Sequence, residues 1–127
     1  DLSKIKMVVS DMDGTLLNSN HQVSEQFFEL FKELQSRDIT FVAASGRQYN
    51  SIIDKLAPIK DEIIVIAENG GFAKKQDTEI LVTPLDQQRV TEILATLNKI
   101  PNIHPVLCGK HQAYLNLQPF FYQRIQP

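Results

Sequence analysis

The stretch that decides the fold is Ile5–Lys6–Met7–Val8–Val9–Ser10–Asp11–Met12–Asp13–Gly14–Thr15. A short apolar run passes directly into a turn carrying two carboxylates and a glycine. The same grammar returns twice. Ile39–Thr40–Phe41–Val42–Ala43–Ala44 leads into Ser45–Gly46–Arg47, and Ile63–Ile64–Val65–Ile66–Ala67 leads into Glu68–Asn69–Gly70–Gly71. Runs this short and this rich in β-branched residues predict strands covered on both faces.

The segments between them repeat at helical spacing. Phe27, Phe31 and Leu34 share one helical face with Leu30, and Ser24 stands where an N-cap is wanted. Tyr49, Ile52, Ile53 and Leu56 form a second stripe, which Pro58 ends. Strand, helix, strand, helix, strand is the pattern of an α/β parallel sheet with right-handed crossovers. After Gly71 the pattern changes. Phe72 to Lys75 and Glu79 to Thr83 read as the arms of a hairpin around Gln76–Asp77. Thr83–Pro84 marks a boundary, so residues 1–83 read as an α/β core and 84–127 as the start of a helix-plus-hairpin module. In that module Asp86 caps a helix striped by Val90, Ile93, Leu94 and Leu97. His104 to Cys108 and Gln112 to Leu117 then pair around Gly109–Lys110, and a new element begins near Pro119.

Composition narrows the function. The 127 residues are 43% hydrophobic and 22% charged, with a net charge of −2 and both signs scattered along the chain. A core can form, and nothing suggests a nucleic-acid groove or an anionic membrane partner. Cys108 is the single cysteine, so no internal disulfide and no multi-thiolate zinc site is available. No apolar run approaches the roughly 20 residues that span a bilayer. The start lacks a signal peptide's basic and apolar regions. A cytoplasmic location is the expectation.

Ligands of open parallel sheets bind beyond the carboxyl ends of the strands. All three strand ends here carry chemistry: two carboxylates, a hydroxyl with a glycine and an arginine, and an Asn–Gly–Gly turn. Asp11 and Asp13 repel each other unless a cation or a shared proton relieves them. A hard divalent ion, Mg²⁺ above all, suits oxygen ligands. With it, one carboxylate can attack a phosphorus atom while the other acts as acid and then as base for water. Gly14 lets the chain turn sharply and lets backbone N–H groups approach a phosphate. Thr15 holds that turn or orients Asp13 through its hydroxyl. An isolated Asp–x–Asp–Gly is as often a plain turn as a site; its place directly after the first strand favours a site.

The run DMDGTLL, residues 11–17, resembles the first signature of the haloacid dehalogenase superfamily. Ser45–Gly46–Arg47 looks like the second signature. Glu68–Asn69–Gly70–Gly71 is similar to the asparagine–glycine turn of the Cof-type sugar-phosphatase branch, and Pro105 to Lys110 looks like that branch's cap domain. The resemblance runs from about Lys4 to the end of the chain. It implies a Rossmann-like parallel-sheet core followed by the beginning of an α+β cap. It makes Asp11 the nucleophile that becomes an aspartyl-phosphate. Asp13 becomes the general acid and base, lending its backbone carbonyl to Mg²⁺, so both aspartates count as metal ligands. Ser45 and the Gly46 amide would hold the phosphoryl group. Gly14, Thr15, Arg47 and Asn69 join them as phosphate- or substrate-binding residues. A second Asp two places after the nucleophile matches the phosphatase branch and disfavours dehalogenation.

The superfamily also uses a lysine and a later acidic pair, and no such run is present in these residues. The reading is truncation within the cap, with little or no turnover expected from the 127 residues alone. The expected function is Mg²⁺-dependent hydrolysis of small phosphorylated metabolites, sugar phosphates first. A phosphomutase or other phosphotransferase, or a non-catalytic phosphate- or Mg²⁺-binding module, stands as the alternative. The expected partner is a small phosphorylated molecule, with oligomeric state left open.

Other residues have plainer readings. Arg47 reaches a phosphate or faces solvent at a helix start, and Asn69 touches substrate or simply favours a turn. Glu68 reads as solvated or capping. His21, His104 and His111 are too dispersed for a metal set and read as surface residues. Cys108 reads as a small core residue on a cap strand, and Phe120–Phe121–Tyr122 as cap packing.

Overall fold

A computed structural model describes residues 4–117 and 121–125, with side chains to residue 115. The chain divides into two compact units, residues 1–83 and 84–127.

The first unit is a five-stranded sheet with two helices. Its strands are β1 (Met7–Asp11), β2 (Thr40–Ala44), β3 (Ile64–Ala67), β4 (Phe72–Lys75) and β5 (Thr78–Val82), hydrogen-bonded in that order. β1, β2 and β3 run parallel, and β4 and β5 fold back antiparallel as a hairpin. Gln76 turns that hairpin at φ 52°. The helices are the two crossovers, α1 (Glu25–Ser36) between β1 and β2 and α2 (Tyr49–Lys55) between β2 and β3. Pro58 lies in a single 3-10 turn after α2, as a helix-stopping proline should.

Local chemistry explains why α1 forms. Ser24 Oγ accepts from the Phe27 N–H at 3.3 Å, and Glu25 lies in the first turn, where negative charge is favoured. At the other end Ile39 N–H donates to Leu34 C=O and Asp38 N–H to Gln35 C=O, the paired bonds of a Schellman stop. Asp38 holds the left-handed position, φ 55°, where glycine is usual.

The main core cluster lies on one face of the sheet, and Val42 of β2, 2% exposed, lies on the other. Phe41, Ala43, Val65 and Ala67 from the strands pack with Phe31 of α1 and with Ile52 and Leu56 from α2 and its end. Phe31 meets Phe41 edge-on with ring centroids 6.2 Å apart. The sequence predicted strands covered on both faces, and among the described residues that does not hold for β1. Met7 and Val9 are 53% and 56% exposed. The reason is topological: adding β1, β2 and β3 in chain order with right-handed crossovers lays both helices on the same side.

The second unit holds α3 (Gln87–Leu97) and a three-stranded antiparallel sheet of β6 (Val106–Cys108), β7 (Ala113–Leu117) and β8 (Phe121–Ile125), paired in that order. Asp86 caps α3 through Oδ1, which accepts from Gln88 N–H at 2.9 Å and Arg89 N–H at 3.2 Å. Cys108 was expected in a core, yet it is exposed. Alternate residues of β6 face opposite ways, and Leu107 takes the more covered side. The expectation for Phe120–Phe121–Tyr122 lies outside the described side chains.

Candidate active site

Strand register assembles the site. Asp11 is level with Ala44 across β1 and β2, and Ala44 is level with Ile66 across β2 and β3. The three turns that follow these residues therefore leave the same edge of the sheet. Asp11, Asp13, Ser45, Gly46, Arg47 and Asn69 all belong to that edge, as the sequence predicted for the carboxyl ends of parallel strands.

The first turn is anchored by what lies between its carboxylates. Met12 is fully buried, and Leu17 is 4% exposed. The N–H groups of Leu16 and Leu17 both donate to the Met12 C=O, at 3.1 and 2.8 Å. Gly14 makes the reversal at φ 74°, open to glycine without strain, and a Cβ there would meet no atom within 4 Å. Glycine is thus required by the backbone angle and not by crowding. Met12 was not singled out from sequence. The available signal was an apolar residue between two charged ones, which must point the other way.

Asp13 is held from the second turn. Arg47 Nε donates to Asp13 Oδ2 at 2.7 Å and Nη2 to Oδ1 at 2.6 Å, a two-pronged charge-assisted contact. Arg47 Nη1 also donates to Ser51 Oγ at 3.3 Å. His21 Nδ1 lies 3.7 Å from Asp13 Oδ1 at the half-exposed rim. Hydrogen bonds from Arg47 are the chief cause that holds the Asp13 carboxyl below the usual carboxylate range; desolvation, next in size, opposes them, and the charges of Arg47 and His21 add to the lowering. Asp13 in turn pushes the Arg47 guanidinium pKa up. Thr15 was expected to hold the turn or orient Asp13; it is exposed, and its hydroxyl has no hydrogen-bond partner among the described residues. A guanidinium fork on a carboxylate is roughly twice as strong as a neutral hydroxyl contact. His21, the one histidine near the first signature in sequence, is exposed as read there.

Ser45 closes the second turn. It is 8% exposed, and its Oγ accepts from the Arg47 N–H at 3.1 Å. That contact uses a lone pair and leaves the hydroxyl proton to donate elsewhere. The third turn reaches across. Asn69 N–H donates to Ser45 C=O at 3.2 Å, and Glu68 N–H donates to Arg47 C=O at 3.0 Å. Glu68 is half-buried instead of solvated, and desolvation raises its carboxyl pKa.

The donor set suits a hard cation. Both Asp13 carboxylate oxygens are engaged by Arg47, while the Asp11 side chain is exposed at the same sheet edge. Mg²⁺ characteristically takes one or two carboxylates and completes its shell with water and phosphate oxygens. Among the described residues no three His, Cys, Asp or Glu side chains group into a further metal site. No helix among the described residues is long and apolar enough to cross a membrane.

Residues 8–126 match the haloacid dehalogenase-like hydrolase family model. The chain belongs to that family. It is 32% identical over 111 residues to 5-amino-6-(5-phospho-D-ribitylamino)uracil phosphatase YbjI of Escherichia coli (strain K12), covering 87% of this chain and 41% of that protein. It is 28% identical over 106 residues to phosphatase YwpJ of Bacillus subtilis (strain 168), covering 83% of this chain and 37% of that protein. Among solved structures, SMU.1108c from Streptococcus mutans UA159 superposes with a TM-score of 0.81 at 27% identity, over 88% of this chain and 43% of that one. The chain thus spans about two-fifths of the length of these relatives.

Proposed function

We propose that the protein containing these residues is a Mg²⁺-dependent phosphatase that hydrolyses small phosphorylated metabolites through an aspartyl-phosphate on Asp11. The observation that carries this is the register of β1 with β2. It sets Asp11 level with Ala44, so the carboxylate turn and the Ser45–Gly46 turn stand side by side. Named relatives with phosphatase activity support the same class, and the one acting on a phosphorylated ribitylamino-uracil points to small phosphomonoesters.

The Asp11 carboxylate and the Asp13 carbonyl would hold Mg²⁺, which supplies charge neutralisation for an anion approaching an anion. The chain's own groups do the rest. A carboxylate oxygen of Asp11 forms a bond to phosphorus as the bond to the ester oxygen breaks. Asp13 gives its proton to the departing oxygen. The Ser45 hydroxyl and the Gly46 N–H stabilise charge on the non-bridging phosphoryl oxygens. Asp13, now a carboxylate, takes a proton from water, whose oxygen attacks phosphorus and frees Asp11 as phosphate leaves. Residues 84–127 would begin a cap domain that takes part in choosing the leaving group.

The test uses the full-length protein, Mg²⁺ and a panel of phosphomonoesters. Phosphate release that is lost in Asp11→Asn, with beryllofluoride binding lost in the same variant, is the expected result. Unchanged turnover by Asp11→Asn would sink the reading.

A further inference from the structure

The third turn has an unusual backbone. Glu68 and Asn69 sit at φ 52° and 53°, and Gly70 follows at φ 92°. Two successive non-glycine residues in the left-handed region are sparsely populated, and Asn tolerates it far better than Glu. Such an arrangement persists only where its surroundings impose it, and it is found where geometry serves a site.

This backbone acts directly on its neighbour. It directs two consecutive N–H groups at the neighbouring turn, Glu68 to the Arg47 carbonyl and Asn69 to the Ser45 carbonyl. It also lays the Asn69 carboxamide over Gly46. A Cβ on Gly46 would lie 2.8 Å from Asn69 Oδ1, closer than real Cβ contacts allow. Residues 45–47 are thereby gripped at each of their three positions by residues 68 and 69. The Ser45 N–H continues the β-ladder by donating to Ile66 C=O at 2.9 Å, so the grip begins where the strand pairing ends.

We propose that Asn69 is a positioning residue for the phosphoryl-binding turn Ser45–Gly46–Arg47, acting through its left-handed backbone and its carboxamide and not by touching substrate. This rests on the role given to Ser45 and Gly46 under Proposed function. A direct substrate contact would depend on the leaving group. A grip on the phosphoryl-binding turn affects every phosphomonoester alike.

Two variants separate the backbone from the side chain in the full-length protein. Asn69→Gly keeps the left-handed angle and the N–H donor, and loses the carboxamide. Asn69→Val loses both, because a β-branched residue resists φ > 0. Kinetics with p-nitrophenyl phosphate and a hexose phosphate, and inhibition by inorganic phosphate, are measured for each. Amide shifts of residues 45–47 by NMR report the turn without relying on turnover.

Asn69→Val is expected to lower kcat/KM for both esters by on the order of 100-fold, as misplacement by about 1 Å does. Inorganic phosphate inhibition weakens in parallel, and Asn69→Gly loses less than about 10-fold. The 45–47 amide shifts move in both variants while those of β1 do not. A loss confined to one ester would make Asn69 a substrate contact and overturn the proposal, as would unchanged shifts at residues 45–47. Ser45→Ala is the control on the underlying reading. If that variant keeps full phosphate inhibition and turnover, the assignment of the turn is wrong. If it is impaired while Asn69→Val is not, only the positioning role fails.

Discussion

Arg47 and Asp13, 34 residues apart in sequence, meet in a two-pronged contact at 2.6 and 2.7 Å. The arginine leaves the end of β2 and the aspartate leaves the end of β1, so one ion pair ties the two turns of the site together. It also favours the ionised form of the group proposed to do both acid and base work. As a base for water Asp13 must be ionised, which this pairing favours. As an acid it must carry a proton, which the pairing opposes. A phosphate dianion arriving at the turn competes for the same guanidinium and would loosen the hold.

The pH consequence follows from the sign of the shift. Asp13 is held below the ordinary carboxylate range chiefly by the hydrogen bonds from Arg47. The pair therefore stabilises the fold above the ordinary Asp value and is lost as pH falls through the lowered folded value. Arg47→Gln should move the Asp13 midpoint upward in a carboxyl ¹³C NMR titration, and His21→Ala should move it less. An Asp13 midpoint that stays put in Arg47→Gln would show that the pair does not persist in solution.

Met12 offers a way to disturb both aspartates without touching either. It is fully buried. Met12→Ala should cost about 2–5 kcal/mol in urea unfolding, and Met12→Leu less than about 1.5 kcal/mol. In the full-length protein Met12→Ala should also lower kcat more than its effect on KM, since the flanking carboxylates lose their anchor. Equal stability of the two variants would contradict the burial.

The ends of α1 make opposite predictions. Ser24→Ala removes the side-chain cap on the Phe27 N–H and should destabilise by about 1 kcal/mol. Asp38→Gly relieves a left-handed non-glycine residue and should stabilise by roughly 0.5–1 kcal/mol. Chemical denaturation of the two single variants gives both signs in one experiment.

Phe31 and Phe41 join α1 to β2 at the centre of the core, each 2% exposed. Truncating either to Ala should cost about 3–5 kcal/mol. A double-mutant cycle should return a coupling of about 0.5–1.5 kcal/mol from their edge-on contact. A coupling near zero would mean that each ring packs independently of the other.

Much of the architecture was legible because it depends on local pattern. The β-branched runs gave β1, β2 and β3. Ser24 and Asp86 gave the starts of α1 and α3, because an N-cap is a contact within three residues. The hairpin of β4 and β5 followed from its turn. Met7 and Val9 are exposed within these 127 residues, and run composition is blind to which side a crossover takes. Cys108 was misjudged, since a three-residue strand carries too little alternation to assign its faces.

By itself, then, the sequence determined which residues stand at the carboxyl ends of the three strands, because strand ends and turns are written in neighbouring residues. Only the tertiary structure decided how those residues use one another. That Arg47 turns to Asp13, that Thr15 does not, and that Asn69 lies against Gly46 depend on the register of β1, β2 and β3. Register comes from matching the buried face of each strand to a shared core. No local propensity carries the distance between two turns that are tens of residues apart in sequence.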